Sequence, residues 1–193
     1  MIHILFKFAG NSYGGIEVDV TSNSGFWREL SPFLLDASKY DACNFENLWQ
    51  FSKVYENYWD ATNHVPTSLW YEWRDRGYST ARAIRYPMGK GVKPVCSWWD
   101  NRALSYVEAR KAIYAPIYAE LVGRVSTYRV LESLYESLYV DGIPLVLRDY
   151  DAYDHIAMGR TLGEVINDSN RKCGHGFVLA MMLIGELEQC LRP

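Results

Sequence analysis

The sequence is short of the features that would place it at once. Net charge is small: 20 Lys and Arg stand against 23 Asp and Glu, which leaves −3 over 193 residues. That argues against a broad nucleic-acid footprint but leaves room for a small basic patch. No run of about 18 apolar residues occurs, so no membrane-spanning helix is expected. The four cysteines, Cys43, Cys96, Cys173 and Cys190, form no CxxC pair. Their scatter suits neither a zinc site nor a disulfide framework, and a reduced, cytoplasmic chain is expected. Met1-Ile2-His3-Ile4-Leu5-Phe6-Lys7 lacks the apolar stretch and cleavage site of a secretory leader. There is no dinucleotide fingerprint, no GxSxG elbow, no repeat and no low-complexity tract.

What the chain does have is aromatic side chains: 15 Tyr, 7 Trp and 7 Phe. Such rings fill cores, and Trp and Tyr also stack on planar ligands. With 49% hydrophobic and 22% charged residues the chain is neither disordered nor a coiled coil. A chain of this length buries about 70% of its unfolded surface, so its core needs no staple.

The element pattern predicts one α+β domain over 1–193, rich in helix, with a small sheet. Ile2-Ile4-Phe6 and Ile16-Val18-Val20 alternate between turn signals, which predicts a β-hairpin over 1–20. Residues 21–44 read as loop, and a helix is predicted from Phe45 to about Tyr58. Residues 60–104 read as an irregular, aromatic-rich lobe or active-site rim holding short helices at Ser68–Arg74 and Ser79–Arg85. Ser105-Tyr106-Val107-Glu108 has the form of a capping box, opening a helix to about Leu121 that Pro116 should kink or end. Helices at Ser126–Ser137 and Thr161–Ile166, a strand at Pro144–Arg148 and a last helix from Gly174-His175-Gly176 to about Leu191 complete the reading.

The helix at Phe45 carries the functional argument. At about 100° per residue, Glu46, Gln50, Lys53 and Asn57 fall within an arc of roughly 60°, and apolar residues take most of the rest. Two readings of this stripe stay open: a narrow solvated face, or a core helix whose polar groups line an internal cleft. Glu46 and Lys53 lie about 10.5 Å apart along such an axis, too far for a surface i,i+4 pair. Both can lean onto one small ligand, with Gln50 between them. Burying both charges costs several kcal/mol unless each is partnered.

Asn44-Phe45-Glu46-Asn47-Leu48-Trp49-Gln50-Phe51-Ser52-Lys53 resembles the signature helix of the NADAR superfamily of (YbiA-like) N-glycosidases, whose spacing is Glu, three residues, Gln, two residues, Lys. Leu30-Ser31-Pro32-Phe33, Ala81–Met88, Leu145-Val146 with Asp151-Ala152-Tyr153, and Gly174–Met182 are similar to further family segments in matching order. Asp154 and His175 depart from the family pattern. The resemblance implies a NADAR-like fold and cleavage of an N-glycosidic bond in an ADP-ribosyl or phosphoribosyl compound. Lys53, its neutral form favoured by an apolar setting, would attack the anomeric carbon of an opened ribose to form a Schiff base. Glu46 would be the general acid/base and Gln50 the orienting group. Family analogy also allows a product directed against host defence.

Other candidates are substrate contacts. Trp98 and Trp99, and Trp70 with Trp73, can stack on a base or simply pack. Arg82, Arg85, Lys90 and Lys93 flank a Pro-Met-Gly-Lys-Gly turn and can grip phosphates or be solvated. Gly174, His175 and Gly176 can present backbone N–H groups to an anion, or form a plain helix start. Asp149 and Asp151 can bond ribose hydroxyls. Asp149, Asp151, Asp154 and His155 lack the spacing of a metal site, and no metal or cofactor is expected. Cys173 reads as an inert thiol. The partner is a nucleotide or ADP-ribosylated substrate, with a modified base in single-stranded nucleic acid as a further form. The rival reading is a non-catalytic nucleotide or ADP-ribose binding module. The oligomeric state is left open.

Overall fold

A computed structural model describes residues 1–192. In chain order the elements are β1 (Ile2–Phe6), β2 (Ile16–Asp19), α1 (Phe45–Phe51), β3 (Lys53–Val54), β4 (Trp59–Asp60), β5 (Val65–Pro66), α2 (Ser68–Tyr78), β6 (Cys96–Trp99), β7 (Arg102–Leu104), α3 (Tyr106–Ala109), α4 (Ala115–Val122), α5 (Ser126–Val140), β8 (Leu145–Asp149), α6 (Leu162–Asn167), α7 (His175–Leu183) and α8 (Leu187–Leu191). Short 3-10 turns cover Gly25–Leu30, Ser38–Tyr40 and Glu56–Tyr58. The fold is α+β, helix-rich with small sheets. Contacts gather into two compact units, Met1–Ser31 with Ala115–Pro193, and Pro32–Tyr114. No helix among the described residues is long and apolar enough to cross a membrane.

In the first unit the sheet order is β1-β8-β2, all parallel. The predicted hairpin is therefore corrected: β1 and β2 form but do not pair, because β8 lies between them. All five residues of β8 are buried, and a strand buried on both faces needs a neighbour on each edge. Two parallel neighbours cannot be joined by a tight turn, so residues 7–15 cross back over the sheet. Arg148 holds this crossover. Its buried guanidinium donates to the carbonyls of Ala9 and Asn11, both at 2.8 Å, and to both carboxylate oxygens of Glu17 at 3.1 and 2.9 Å.

The C-terminal half follows the sequence signals more closely. Thr161 caps α6 in a complete capping box with Glu164. The last helix is two, not one, because Gly185 adopts φ 73° between α7 and α8. Residues Phe177–Met181 of α7 are buried without exception, which its sequence, apolar on every side, requires.

In the second unit β3-β6-β7 form one antiparallel sheet and β4-β5 a two-stranded ribbon. Helix α1 begins at Asn44, whose side chain accepts from the Asn47 N–H at 2.9 Å. Gly77 allows α2 to lie against α1, since a methyl there would overlap the Phe51 ring. The predicted helix at 79–85 does not form; residues 79–95 contain no helix or strand. The capping box of Ser105 and Glu108 is complete, as read. Pro116 falls at the second residue of α4, and the five residues before α4, Arg110–Tyr114, are wound as π-helix. Proline lacks an N–H and its ring crowds the carbonyl four residues back, and the wider turn relieves that crowding.

Candidate functional site

Helix α1 is shorter than the sequence predicts. It ends at Phe51, with Ser52 as C-cap and its hydroxyl donating to the Trp49 carbonyl at 2.9 Å. Lys53 consequently lies on a strand rather than a third helical turn, paired opposite Ser97 of β6. The change of backbone does not take the ammonium away from the helix. Lys53 Nζ donates to Gln50 Oε1 at 2.6 Å, and Gln50 Nε2 donates to Glu46 Oε1 at 2.9 Å. Acid, amide and amine thus form one hydrogen-bonded row. Asn57, the fourth residue of the predicted stripe, is not in it; it is exposed in the 3-10 turn Glu56–Tyr58.

Every residue of α1 is buried, so the row does not lie on a solvated face. Glu46 is 6% and Gln50 8% exposed, while Lys53 is half-buried at the open end. Lys53 Nζ lies 4.7 Å from the centre of the Trp49 ring, one helical turn back, and this cation–π contact fixes the side chain from the other side. Trp49 packs in turn on Tyr114, with centroids 5.0 Å apart. The Lys53 carbonyl accepts from Trp70 Nε1 at 2.9 Å. Trp70 is fully buried core, and half-buried Trp73 packs on Phe51, Tyr55 and Tyr58, so both rings are taken up by the protein's own packing. Trp49 is the positioning residue that spacing alone did not single out; an aromatic four residues before a lysine was the available signal.

Trp98 and Trp99, both half-buried on β6, line a cavity of about 770 Å³ with Tyr40, Tyr71, Arg74 and Asp100 among its walls. Glu46, Gln50 and Lys53 are not in that lining. Arg74 is held by Asp75 at 2.7 Å and lies 5.2 Å from the Tyr71 ring centre. Trp98 is joined to the acid–amine row through the backbone, its N–H donating to the Ser52 carbonyl at 2.8 Å. Arg82 is exposed, and its carbonyl accepts from buried Asn47; Arg85 lies 5.4 Å from the ring of Tyr86.

The remaining predicted contacts belong to the first unit, where they satisfy one another. Asp149 Oδ2 accepts from the Gly176 N–H at 3.0 Å and lies 3.2 Å from His175 Nδ1. His175 Nε2 lies 2.8 Å from the Val20 carbonyl, which can only accept, so that nitrogen is the donor. The anion at the start of α7 is therefore the chain's own carboxylate. Gly174 is required there, because a methyl would overlap Asp149 Oδ2. Asp151 pairs with Lys172 at 2.9 Å. Asp154 takes the Tyr13 hydroxyl and the Ala157 N–H, and these bonds outweigh burial and hold its carboxyl below the ordinary value. His3 stacks on Tyr13, and burial pushes both His3 and His155 below the usual imidazole value against the pull of Asp154.

No group of three His, Cys, Asp or Glu among the described residues is arranged to hold a metal ion. The four cysteines are unbridged; Cys173 is buried, and burial pushes the Cys96 thiol up to about 11. No protein-family model, no curated protein and no solved structure matches this chain.

Proposed function

We propose that the chain is an N-glycosidase that cleaves the bond between C1′ of a ribosyl or ADP-ribosyl group and an amine nitrogen of a base or ribosylamino compound. The observation that carries the reading is the Glu46–Gln50–Lys53 row, a buried acid on α1 and a half-buried amine on β3 tied through one amide. The resemblance of Asn44–Lys53 to the NADAR signature supports the same assignment. Glu46 protonates the ring oxygen and opens the ribose, leaving C1′ bonded to the aglycone nitrogen as an imine. Lys53 Nζ adds to C1′, the aglycone leaves as its free amine, and a lysine imine remains. Water, activated by Glu46, then hydrolyses that imine and returns Lys53 and the free sugar aldehyde. Gln50 orients the two groups, and Trp49 holds the ammonium until substrate displaces it. The setting is the cytoplasm, where four unbridged thiols remain reduced.

Borohydride trapping with an ADP-ribosylated base and with a phosphoribosylamine tests this. A reduced sugar adduct on Lys53, located by mass spectrometry, is expected; an adduct on another lysine refutes the assignment. Lys53→Ala should lower turnover by roughly 10²-fold or more, the range typical of acid–base groups serving as a floor. The cavity beside Trp98 and Trp99, lined without the acid and amine, favours a second reading as a nucleotide-binding module. That reading predicts ligand affinity unchanged by Lys53→Ala and no turnover to lose.

A further inference from the structure

The second unit carries eleven Lys and Arg against nine Asp and Glu, although the whole chain is net negative. The excess is concentrated. The 24 residues between Asp75 and Asp100 contain no acidic residue and five cations, Arg76, Arg82, Arg85, Lys90 and Lys93. Arg76, Arg82, Lys90 and Lys93 are all exposed, and none makes an ion pair among the described residues. Elsewhere several cations are paired, as Lys7 is with Asp19 and Lys172 with Asp151.

The stretch is an anchored strap. At one end the Cys43 N–H donates to the Tyr78 carbonyl at 2.8 Å. Buried Asn47 donates to the carbonyls of Thr80 and Arg82 at 2.7 and 3.0 Å and accepts from the Ile84 N–H at 2.8 Å. At the other end the Val95 N–H donates to the Val54 carbonyl at 2.8 Å. Both anchors are on residues 43–54, so the cations are displayed along the segment that bears Glu46 and Lys53. Between the anchors Gly89 and Gly91 adopt φ 97° and 92°, and residues 89–95 are all exposed.

We propose that this strap is a docking surface for the phosphodiester backbone of single-stranded nucleic acid. Arg82, Lys90 and Lys93 on the strap, with Arg76 in the last turn of α2, match a polyanion with charges spaced along it better than one diphosphate. Tyr86, 42% exposed beside Arg85, offers a ring on which an unpaired base stacks. A duplex is disfavoured because residues 79–95 supply no helix or ribbon to enter a groove. A membrane surface is disfavoured because the strap forms no amphipathic helix. The proposal is independent of the glycosidase reading, since an unmodified oligonucleotide carries no bond for Glu46 and Lys53 to cut.

The experiment is fluorescence anisotropy of the whole chain with a labelled, unmodified oligothymidylate of about 12 nucleotides, a length within the site sizes of single-strand binders. The logarithm of affinity should fall with the logarithm of salt with a slope near −3, about −0.7 for each of four contacts. Lys90→Glu with Lys93→Glu should flatten that slope by about 1.4 and weaken binding about tenfold or more at low salt. The double variant should melt like the parent, because both side chains are solvated. Arg82→Glu, on the other limb of the strap, should act in the same direction. The proposal is overturned by absence of binding at low salt, by a slope near zero, by affinity that ignores both variants, or by binding to anionic vesicles but not to the oligonucleotide. Equal affinity for a duplex of the same length overturns the single-strand assignment.

Discussion

In the first unit, buried Asp149 meets the Gly176 N–H and the His175 ring, and buried Arg148 meets two close carbonyls and both oxygens of a carboxylate. In the second unit, the row from Glu46 to Lys53 runs from full burial to a half-open end, and four neighbouring cations pair with nothing among the described residues. The first unit carries nine Lys and Arg against fourteen Asp and Glu, yet its buried ions are matched group for group. Charge count alone does not mark a site. What separates the units is exposure: the matched ions of the first are buried, whereas Arg76, Arg82, Lys90 and Lys93 of the second are exposed to solvent.

The largest effect should come from the first unit. Arg148→Ala strands the carbonyls of Ala9 and Asn11 and should cost about 2–4 kcal/mol in urea unfolding, from the lost hydrogen bonds and packing of a buried side chain rather than from its pair with Glu17, which is exposed. A cost below about 1 kcal/mol would mean that the crossover is held by something else. Gly174→Ala comes next. The methyl must displace Asp149, with a loss of about 1–3 kcal/mol, and the substitution should loosen the start of α7 as read by hydrogen exchange.

Acid should then act on the first unit. His3 and His155 have folded values below the usual 6.5 because burial disfavours the charged ring. Below that value the unfolded chain takes up protons that the folded chain refuses, so stability falls as pH drops below about 6.5. Melting curves between pH 7.5 and 5, in roughly half-unit steps, should show this fall, and replacing both histidines with glutamine should flatten it. The smallest effect is the most telling. Lys53→Ala should leave the unfolding free energy within about 0.5 kcal/mol of the parent, because a half-solvated amine contributes little to folding. A stability loss as large as that of Gly174→Ala would make the lysine a structural residue.

Part of the geometry at α1 was legible in the sequence. The Glu46, Gln50 and Lys53 spacing does place three polar groups in one row, and the Asn44 cap and the Ser105–Glu108 capping box, like the Thr161–Glu164 box of the first unit, are local hydrogen-bond patterns that sequence encodes directly. The end of α1 was not legible. Phe51 to Tyr58 keeps a helical period, but tertiary pairing of Lys53 and Val54 with β6 overrides it. The false hairpin at 1–20 has the same cause: alternation reports that a strand has one face in the core, not which strand lies beside it. Local signals also could not show that Asp149 is the counter-ion of α7, because 27 residues of chain separate it from Gly176.

The order β1-β8-β2 has a consequence for how the molecule is made. A nascent chain exposes its first two strands early, but their shared neighbour emerges more than a hundred residues later. Every strand partner of Pro32–Tyr114, by contrast, is available once that segment has left the ribosome. Strands β1 and β2 must therefore wait with open edges while residues 32–114 assemble, and their sheet closes only when β8 has emerged.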